Sequence, residues 1–394
     1  MIKMPELQDI LIQYWGEFEK KYPVPYNAFK VIKALINCRT SALGGHIDQC
    51  KECGHLKVSY NSCRNRHCPK CQGIEREEWV LKQQANMLNE KYFHIVFTIP
   101  EELNPIAIKN QRLFYSLLFK AASETLKQLA QDKKYLGAQI GITAVLHTWG
   151  QTLSFHPHIH CIIPQGGLSS TNRWIKSKNN FFIPVRVIAN KFRGKFLDFL
   201  KREVSAANII FSSDIDYLND NIKYQGFIDT LYNKNWVVFC EKTFKDASHV
   251  INYLARYTNR VAIANNRIIK LENHKVVFKY KDYKDNGKMK LMTLDVLEFI
   301  RRFLMHILPE RFKKIRYYGL MGSVNKNTKL LLCKKLTNTK IIEYIRLTKD
   351  QLIEKLGLDI KKCPVCGSSK FILKEVLPRT LSPPLVKKHQ INNA

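Results

Sequence analysis

The chain reads as an α+β protein: an antiparallel sheet with helices on one side, preceded by an N-terminal zinc-binding module. Three observations predict this. Apolar, β-rich runs at 92–99, 138–149 and 155–163 alternate with helix-length segments. The last two runs are joined only by Gly150-Gln151-Thr152-Leu153-Ser154, short enough for a hairpin. Five of the 11 cysteines crowd between Cys50 and Cys71.

In chain order, residues 5–37 read as helical, with Leu7, Ile10, Leu11 and Tyr14 forming an apolar stripe. The cysteine cluster follows from Gly44 to Gln72, and a polar, helix-forming segment from Ile74 to Glu90 leads out of it. Tyr92 to Ile99 reads as a strand stopped by Pro100. Ala107 to Gln131 reads as one long helix, then come the two hairpin strands, a helix over Val187 to Ser205 and a short buried strand at Trp236 to Cys240. Ala247 to Thr258 reads as a helix capped by Asp246. Short strands run to about Thr293, then a helix from Leu294 to Ile307 ended by Pro309. The tail beyond Pro378 is expected to be disordered. These elements divide the chain into a zinc-binding module at 1–90, a core at 91–308 and a basic C-terminal region at 309–394 with a single CxxC knuckle.

Composition narrows the partners. Lys and Arg number 64 against 33 Asp and Glu, a formal net charge of +31. Such an excess needs a polyanion or a negatively charged surface. No apolar run approaches the roughly 20 residues of a membrane span, and Met1 to Tyr14 has no signal-peptide core. The expected location is the cytoplasm and, in a bacterium, the nucleoid. Arg64, Arg66, Arg256, Arg260, Lys313, Lys314 and Arg316 are the candidate phosphate contacts.

Cys50-Lys51-Glu52-Cys53 and Cys68-Pro69-Lys70-Cys71 are two CxxC knuckles. Each turns two thiolates toward one point, so the pair predicts one tetrahedral zinc site. His46, His55, Cys63 and His67 lie among them as candidates for a second zinc. Cys363-Pro364-Val365-Cys366 is half of a further site, with Cys333, His306 or His389 as candidate partners. Cys38, Cys161, Cys240 and Cys333 otherwise read as small buried hydrophobes.

His156-Pro157-His158-Ile159-His160 places three histidines at alternate positions of a strand, all on one face. Converging neutral imidazoles make a divalent-metal site. His158 and His160 are the first-choice ligands. The third is His147, opposite His158 if the turn centres near Thr152, or His156. Tyr253 and Tyr257 are four residues apart, which on a helix puts both hydroxyls on one side, roughly 6 Å apart. Val250, Tyr253, Leu254 and Tyr257 also form the stripe of a core-facing helix, and periodicity alone reads them as core.

These residues carry a resemblance. Asn61-Ser62-Cys63-Arg64-Asn65-Arg66-His67-Cys68-Pro69-Lys70-Cys71-Gln72, Leu146-His147-Thr148-Trp149-Gly150, the histidine strand, Tyr253-Leu254-Ala255-Arg256-Tyr257-Thr258-Asn259-Arg260-Val261-Ala262-Ile263 and Arg316-Tyr317-Tyr318-Gly319-Leu320 resemble, in this order, the two-tyrosine HUH transposases of bacterial rolling-circle insertion sequences. The resemblance spans about Ile47 to Met321. It implies an HUH endonuclease core, Tyr253 and Tyr257 as nucleophiles, and His158 and His160 as the metal pair. Mg²⁺ or Mn²⁺ suits the phosphate oxygens at the catalytic site, with Mn²⁺ a fair option for imidazole ligands, and the knuckles call for structural Zn²⁺. The resemblance also implies single-stranded and hairpin DNA at element ends, and target DNA, as partners. A plasmid replication initiator or relaxase with the same chemistry is the nearest alternative, without a fused helicase because no GxxxxGK[ST] loop occurs. A non-enzymatic zinc-finger DNA-binding protein explains the charge and the knuckles but not the histidine strand.

Overall fold

The computed structural model describes residues 4–177, 183–243, 262–342, 344–356 and 362–380. The N-terminal helical region is two helices, α1 (Leu7–Lys21) and α2 (Tyr26–Ile36). Pro23 and Pro25 break it, because neither can donate to a continuing helix. A capping box between Glu6 and Asp9 starts α1, and Leu7, Ile10, Leu11, Tyr14, Trp15 and Phe18 form its buried stripe. Strands β1 (Gly45–Cys50) and β2 (Leu56–Tyr60) form a hairpin, and α3 (Gln72–Gln84) follows.

Strand β3 (Tyr92–Thr98) opens the central sheet. The expected long helix after it is broken into α4 (Asn104–Lys109) and α5 (Gln111–Gln131). Asn110 sits at the break, donates from its side chain to the Ile106 and Ile210 carbonyls and accepts from the Ile210 N–H. It therefore splints the corner to a distant loop. The hairpin is β4 (Gly141–Trp149) with β5 (Phe155–Pro164), and a small ribbon, β6 (Gly166–Leu168) with β7 (Trp174–Lys176), follows. Next come α6 (Val185–Ser205) and α7 (Asn221–Asn233). The latter carries a weak apolar stripe, only Ile228 and Leu231 being buried, so periodicity does not reveal it. Asp220 caps it by accepting from Ile222 and Lys223. Strand β8 (Val238–Thr243) is an edge strand with Val237 and Phe239 exposed, not the buried strand expected from its apolar sequence.

A meander of β9 (Ile268–Glu272), β10 (Lys275–Asp282) and β11 (Lys288–Asp295) leads into α8 (Val296–Met305), which Asp295 caps. Strand β12 (Ile315–Gly319) comes next, then α9 (Lys329–Leu336), α10 (Lys349–Lys355) and β13 (Phe371–Leu377). The central sheet is antiparallel throughout, in the order β12-β4-β5-β3-β8. One face buries Ile95, Phe97, Ile159 and Cys161 against Phe114, Phe119, Phe192 and Phe196 of α5 and α6. Full burial of each such side chain contributes about 1.5–3 kcal/mol. A second core joins α1 and α2 to the meander and α8, through Phe18, Ile32, Phe278 and Phe299 among others.

The division at residue 308 is not a boundary in the fold. Strand β12 is an edge of the central sheet, paired with β4, and β13 pairs with β1 at the opposite end of the chain. At the end of β12, Gly319 has φ +58°, and a Cβ there would lie 2.0 Å from the Ile140 carbonyl oxygen. Only glycine fits, which accounts for Gly319 in the Tyr-Tyr-Gly-Leu stretch. Among the described residues, no helix is long and apolar enough to cross a membrane.

Candidate metal centres

The face of the central sheet away from α5 and α6 carries the histidines. In the hairpin register His147 lies opposite His158, and Val145 opposite His160. One ring nitrogen from each of His147, His158 and His160 falls within 4.8 Å of the other two. His156 shares the face but is exposed and lies outside this group. The turn is closed by a Gly150 N–H bond to Ser154 O at 2.9 Å, with Leu153 buried beneath it at φ +60°.

The protonation states suit cation binding. Burial, and then the neighbouring His156, pulls His158 down to about 4. Burial, reinforced by His147, holds His160 well below the ordinary histidine value. Both are neutral at physiological pH, as ligands must be. The His158 Nδ1–H donates to the His156 carbonyl at 2.6 Å, which leaves Nε2 as the donor atom. His160 Nδ1 lies 2.8 Å from His94 Nε2, with the two rings 1° from coplanar. If Nδ1 of His160 is the donor, its Nε2 lone pair is likewise kept for a cation. The donor set therefore fits a divalent ion with imidazole ligands. His94 belongs to β3 and is 3% exposed. Sequence reasoning missed it, although Tyr92, His94 and Val96 alternate onto the same face as the histidines of β5.

The cysteines form two tetrads, and neither is the expected one. Cys38, Cys63, Cys68 and Cys71 make one group, and Cys50, Cys53, Cys363 and Cys366 the other. Cys38 ends the turn after α2 and lies 3.5 Å from Cys71 and 3.6 Å from Cys68, sulfur to sulfur. Cys50 and Cys53 lie at the end of the β1–β2 hairpin, where the pairing of Cys50 with Phe371 brings the C-terminal knuckle alongside. Their tetrad has Cys50–Cys366 at 3.5 Å and Cys53–Cys363 at 3.6 Å. Bonds of about 2.3 Å in a tetrahedron put sulfurs about 3.8 Å apart, so both tetrads fit Zn²⁺. Of the candidates for a second zinc, only Cys63 is in a tetrad. His46 faces Asp48 at 3.3 Å, and His55 and His67 are in neither group. His306 and Cys333 are not partners of the C-terminal knuckle, and His389 lies outside the described residues.

The basic candidates divide as well. Arg64 and Lys313 are exposed. Arg66 instead spends its guanidinium on the carbonyls of Phe312, Pro309 and Leu308, docking the cysteine module onto the core. Lys314 lines a small cleft with Arg66, His67, Trp149 and His306, and burial, then Arg66, pulls its ammonium down to about 8. Arg316 stacks over Phe119 and Phe312 at 4.4 and 5.1 Å. Arg66 and Arg316 are therefore structural cations first. Tyr253, Tyr257, Arg256 and Arg260, with the helix expected at 247–258, lie outside the described residues.

The family described as "Putative transposase" matches residues 141–329, which contain His147, His158 and His160, and a "Transposase zinc-binding domain" matches residues 10–99. The "Putative transposase y4qJ" of Sinorhizobium fredii is 41% identical over 387 residues, covering 96% of this chain and 97% of that one. The "Transposase for insertion sequence element IS801" of Pseudomonas savastanoi pv. phaseolicola is 27% identical over 304 residues, covering 75% of this chain and 70% of its own. No solved structure matches.

Proposed function

We propose, on the premise that this chain belongs to the transposase family of rolling-circle insertion sequences, that it nicks and rejoins single-stranded DNA through 5′-phosphotyrosine intermediates at Tyr253 and Tyr257. The observation that carries the reading is the convergence of His147, His158 and His160 on the face of the sheet away from α5 and α6. The central sheet with this triad is, in this reading, an HUH endonuclease core. A divalent cation held by the three imidazoles, Mg²⁺ or Mn²⁺, would polarise the scissile phosphate and offset its charge in the transition state. The remaining work falls to the chain. A tyrosine phenol has a pKa of about 10 and is a weak nucleophile at neutral pH, so it must be positioned in line with the phosphorus. Residues 244–261 carry both tyrosines. In sequence they follow β8, which is in the same sheet as the histidines, and precede Ala262, which lines the cleft beside Trp149 at the end of β4. Attack by one phenol forms the phosphotyrosine and frees a 3′-OH. The phosphodiester bond energy is retained, so rejoining needs no nucleotide triphosphate. The second tyrosine can cut again while the first holds its strand. Lys313 and Arg64, both exposed, would hold flanking phosphates in this reading, with hairpin ends and a target strand as substrates.

The test uses the full chain and single-stranded oligonucleotides from DNA flanking the element. With Mn²⁺ or Mg²⁺ it should yield a cleaved product and a covalent protein–DNA adduct on a denaturing gel. Tyr253→Phe combined with Tyr257→Phe should abolish the adduct. An adduct that survives the double change means another residue attacks, and DNA binding without cleavage favours a binding protein over an enzyme.

A further inference from the structure

We infer that Cys50, Cys53, Cys363 and Cys366 form a composite zinc site that clasps the two ends of the chain together, separate from the site at Cys38, Cys63, Cys68 and Cys71. The "Transposase zinc-binding domain" match ends at residue 99, so half of this ligand set lies outside it. The two knuckles are the same turn built twice. In Cys50-Lys51-Glu52-Cys53-Gly54, the glycine has φ +73°, its N–H bonds Cys50 O at 3.0 Å, and the Cys50 N–H bonds His55 O at 2.9 Å. In Cys363-Pro364-Val365-Cys366-Gly367, the glycine has φ +74°, its N–H bonds Cys363 O at 2.9 Å, and the Cys363 N–H bonds Ser368 O at 2.8 Å. Each turn aims two thiols at the other, and all four sulfurs lie within 4.8 Å of one another.

Backbone pairing beside the cysteines holds the two turns in this register. Lys51 N–H bonds Lys370 O at 2.9 Å, and Lys370 Nζ meets Glu52 at 3.0 Å. Beyond them β13 runs antiparallel to β1 from Cys50↔Phe371 to Gly45↔Leu377. Such a site closes a loop of more than 300 residues, and a tetrathiolate set of this charge and softness selects Zn²⁺ over hard cations such as Mg²⁺. A cysteine pair outside the matched domain is thereby assigned a ligand, and the C-terminal strand becomes part of the N-terminal module.

The experiment counts metal. Full-length protein purified without added chelator should carry two zinc ions per chain by native mass spectrometry. Cys363→Ser with Cys366→Ser should carry one, Cys50→Ser with Cys53→Ser one, and all four changes together still one. A four-fold variant with none, or a Cys363/Cys366 variant that keeps two, overturns the composite site. So does a wild-type chain with a single zinc. If the variants do not fold, alkylation of the wild-type chain decides. Cys363 and Cys366 should be protected with Cys50 and Cys53, and all four should become reactive together on chelation. Cys363 and Cys366 reacting while Cys50 and Cys53 stay protected overturns the inference.

Discussion

Replacing His94 should weaken cation binding without touching a ligand. His94 Nε2 sits 2.8 Å from His160 Nδ1, the rings are 1° from coplanar, and the two residues are 3% and 7% exposed. With Nδ1 of His160 donating to His94, this contact fixes both the ring angle of His160 and the nitrogen that carries its proton. In His94→Ala the His160 ring can turn or move its proton to Nε2, and cation binding must undo that relaxation. The relaxation recovers at most what the buried hydrogen bond was worth, about 1–3 kcal/mol. At about 1.4 kcal/mol per decade, that is a loss of roughly 5- to 150-fold in affinity. Partners of metal-bound histidines typically contribute 10- to 100-fold, inside the same range. The assay is Mn²⁺ titration of the full chain followed by electron paramagnetic resonance, with thermal unfolding run on the same samples. His94→Gln, whose amide oxygen can still accept, should recover part of the affinity. If His94→Ala unfolds at the native temperature and its Mn²⁺ Kd stays within about threefold of native, His94 does not orient His160 and the reasoning fails.

Other outcomes follow from the same structure. His306 is buried between Thr148 and the Leu153 carbonyl, and burial holds it down at about 4. Its folded value is below its unfolded one, so its contribution is complete above about pH 6.5 and is lost as pH falls toward 4, costing about 1.4 kcal/mol at pH 5.5. Urea unfolding at pH 7.5 and 5.5 should show a smaller pH dependence for His306→Gln than for the native chain; equal dependence refutes this. Arg66→Ala should destabilise by at least about 1.5–3 kcal/mol, because it strips a charged donor from three carbonyls. A change in DNA affinity with no change in melting temperature would reassign Arg66 to phosphate binding. Lys313→Ala should leave the melting temperature unchanged, weaken binding on all DNA sequences alike and flatten the salt slope by about one unit. Affinity that hardly varies with salt would remove nucleic acid as the reason for the +31 charge.

The sequence is most readable where a side-chain period meets a short turn. Alternation in β5 puts His158 and His160 on one face, and five linking residues suffice to bring His147 across from His158. It is least readable where partners are distant. A CxxC pair reveals that two thiols converge but not on what. Cys50 and Cys53 look to Cys68 and Cys71 along the sequence, yet strand pairing delivers Cys363 and Cys366. Cys38 has no spacing signal and resembles an ordinary buried cysteine. His94 is hidden for a different reason: β3 is central and buried on both faces, so its apolar run masks the alternation. The charge of Arg66 and Arg316 is visible in the sequence, but its use on carbonyls and aromatic rings is not.

Pairing of β1 with β13 also sets an order of events during synthesis. Strand β1 is complete by residue 50, but the partner that covers its second edge begins only at Phe371. While the ribosome makes the intervening stretch, β1 has only β2 beside it and presents an open row of amide and carbonyl groups. The N-terminal module is then finished only after the central sheet has been made. A prematurely terminated product lacking β13 would keep that open edge, and with it a tendency to pair with other chains that the full-length molecule has covered.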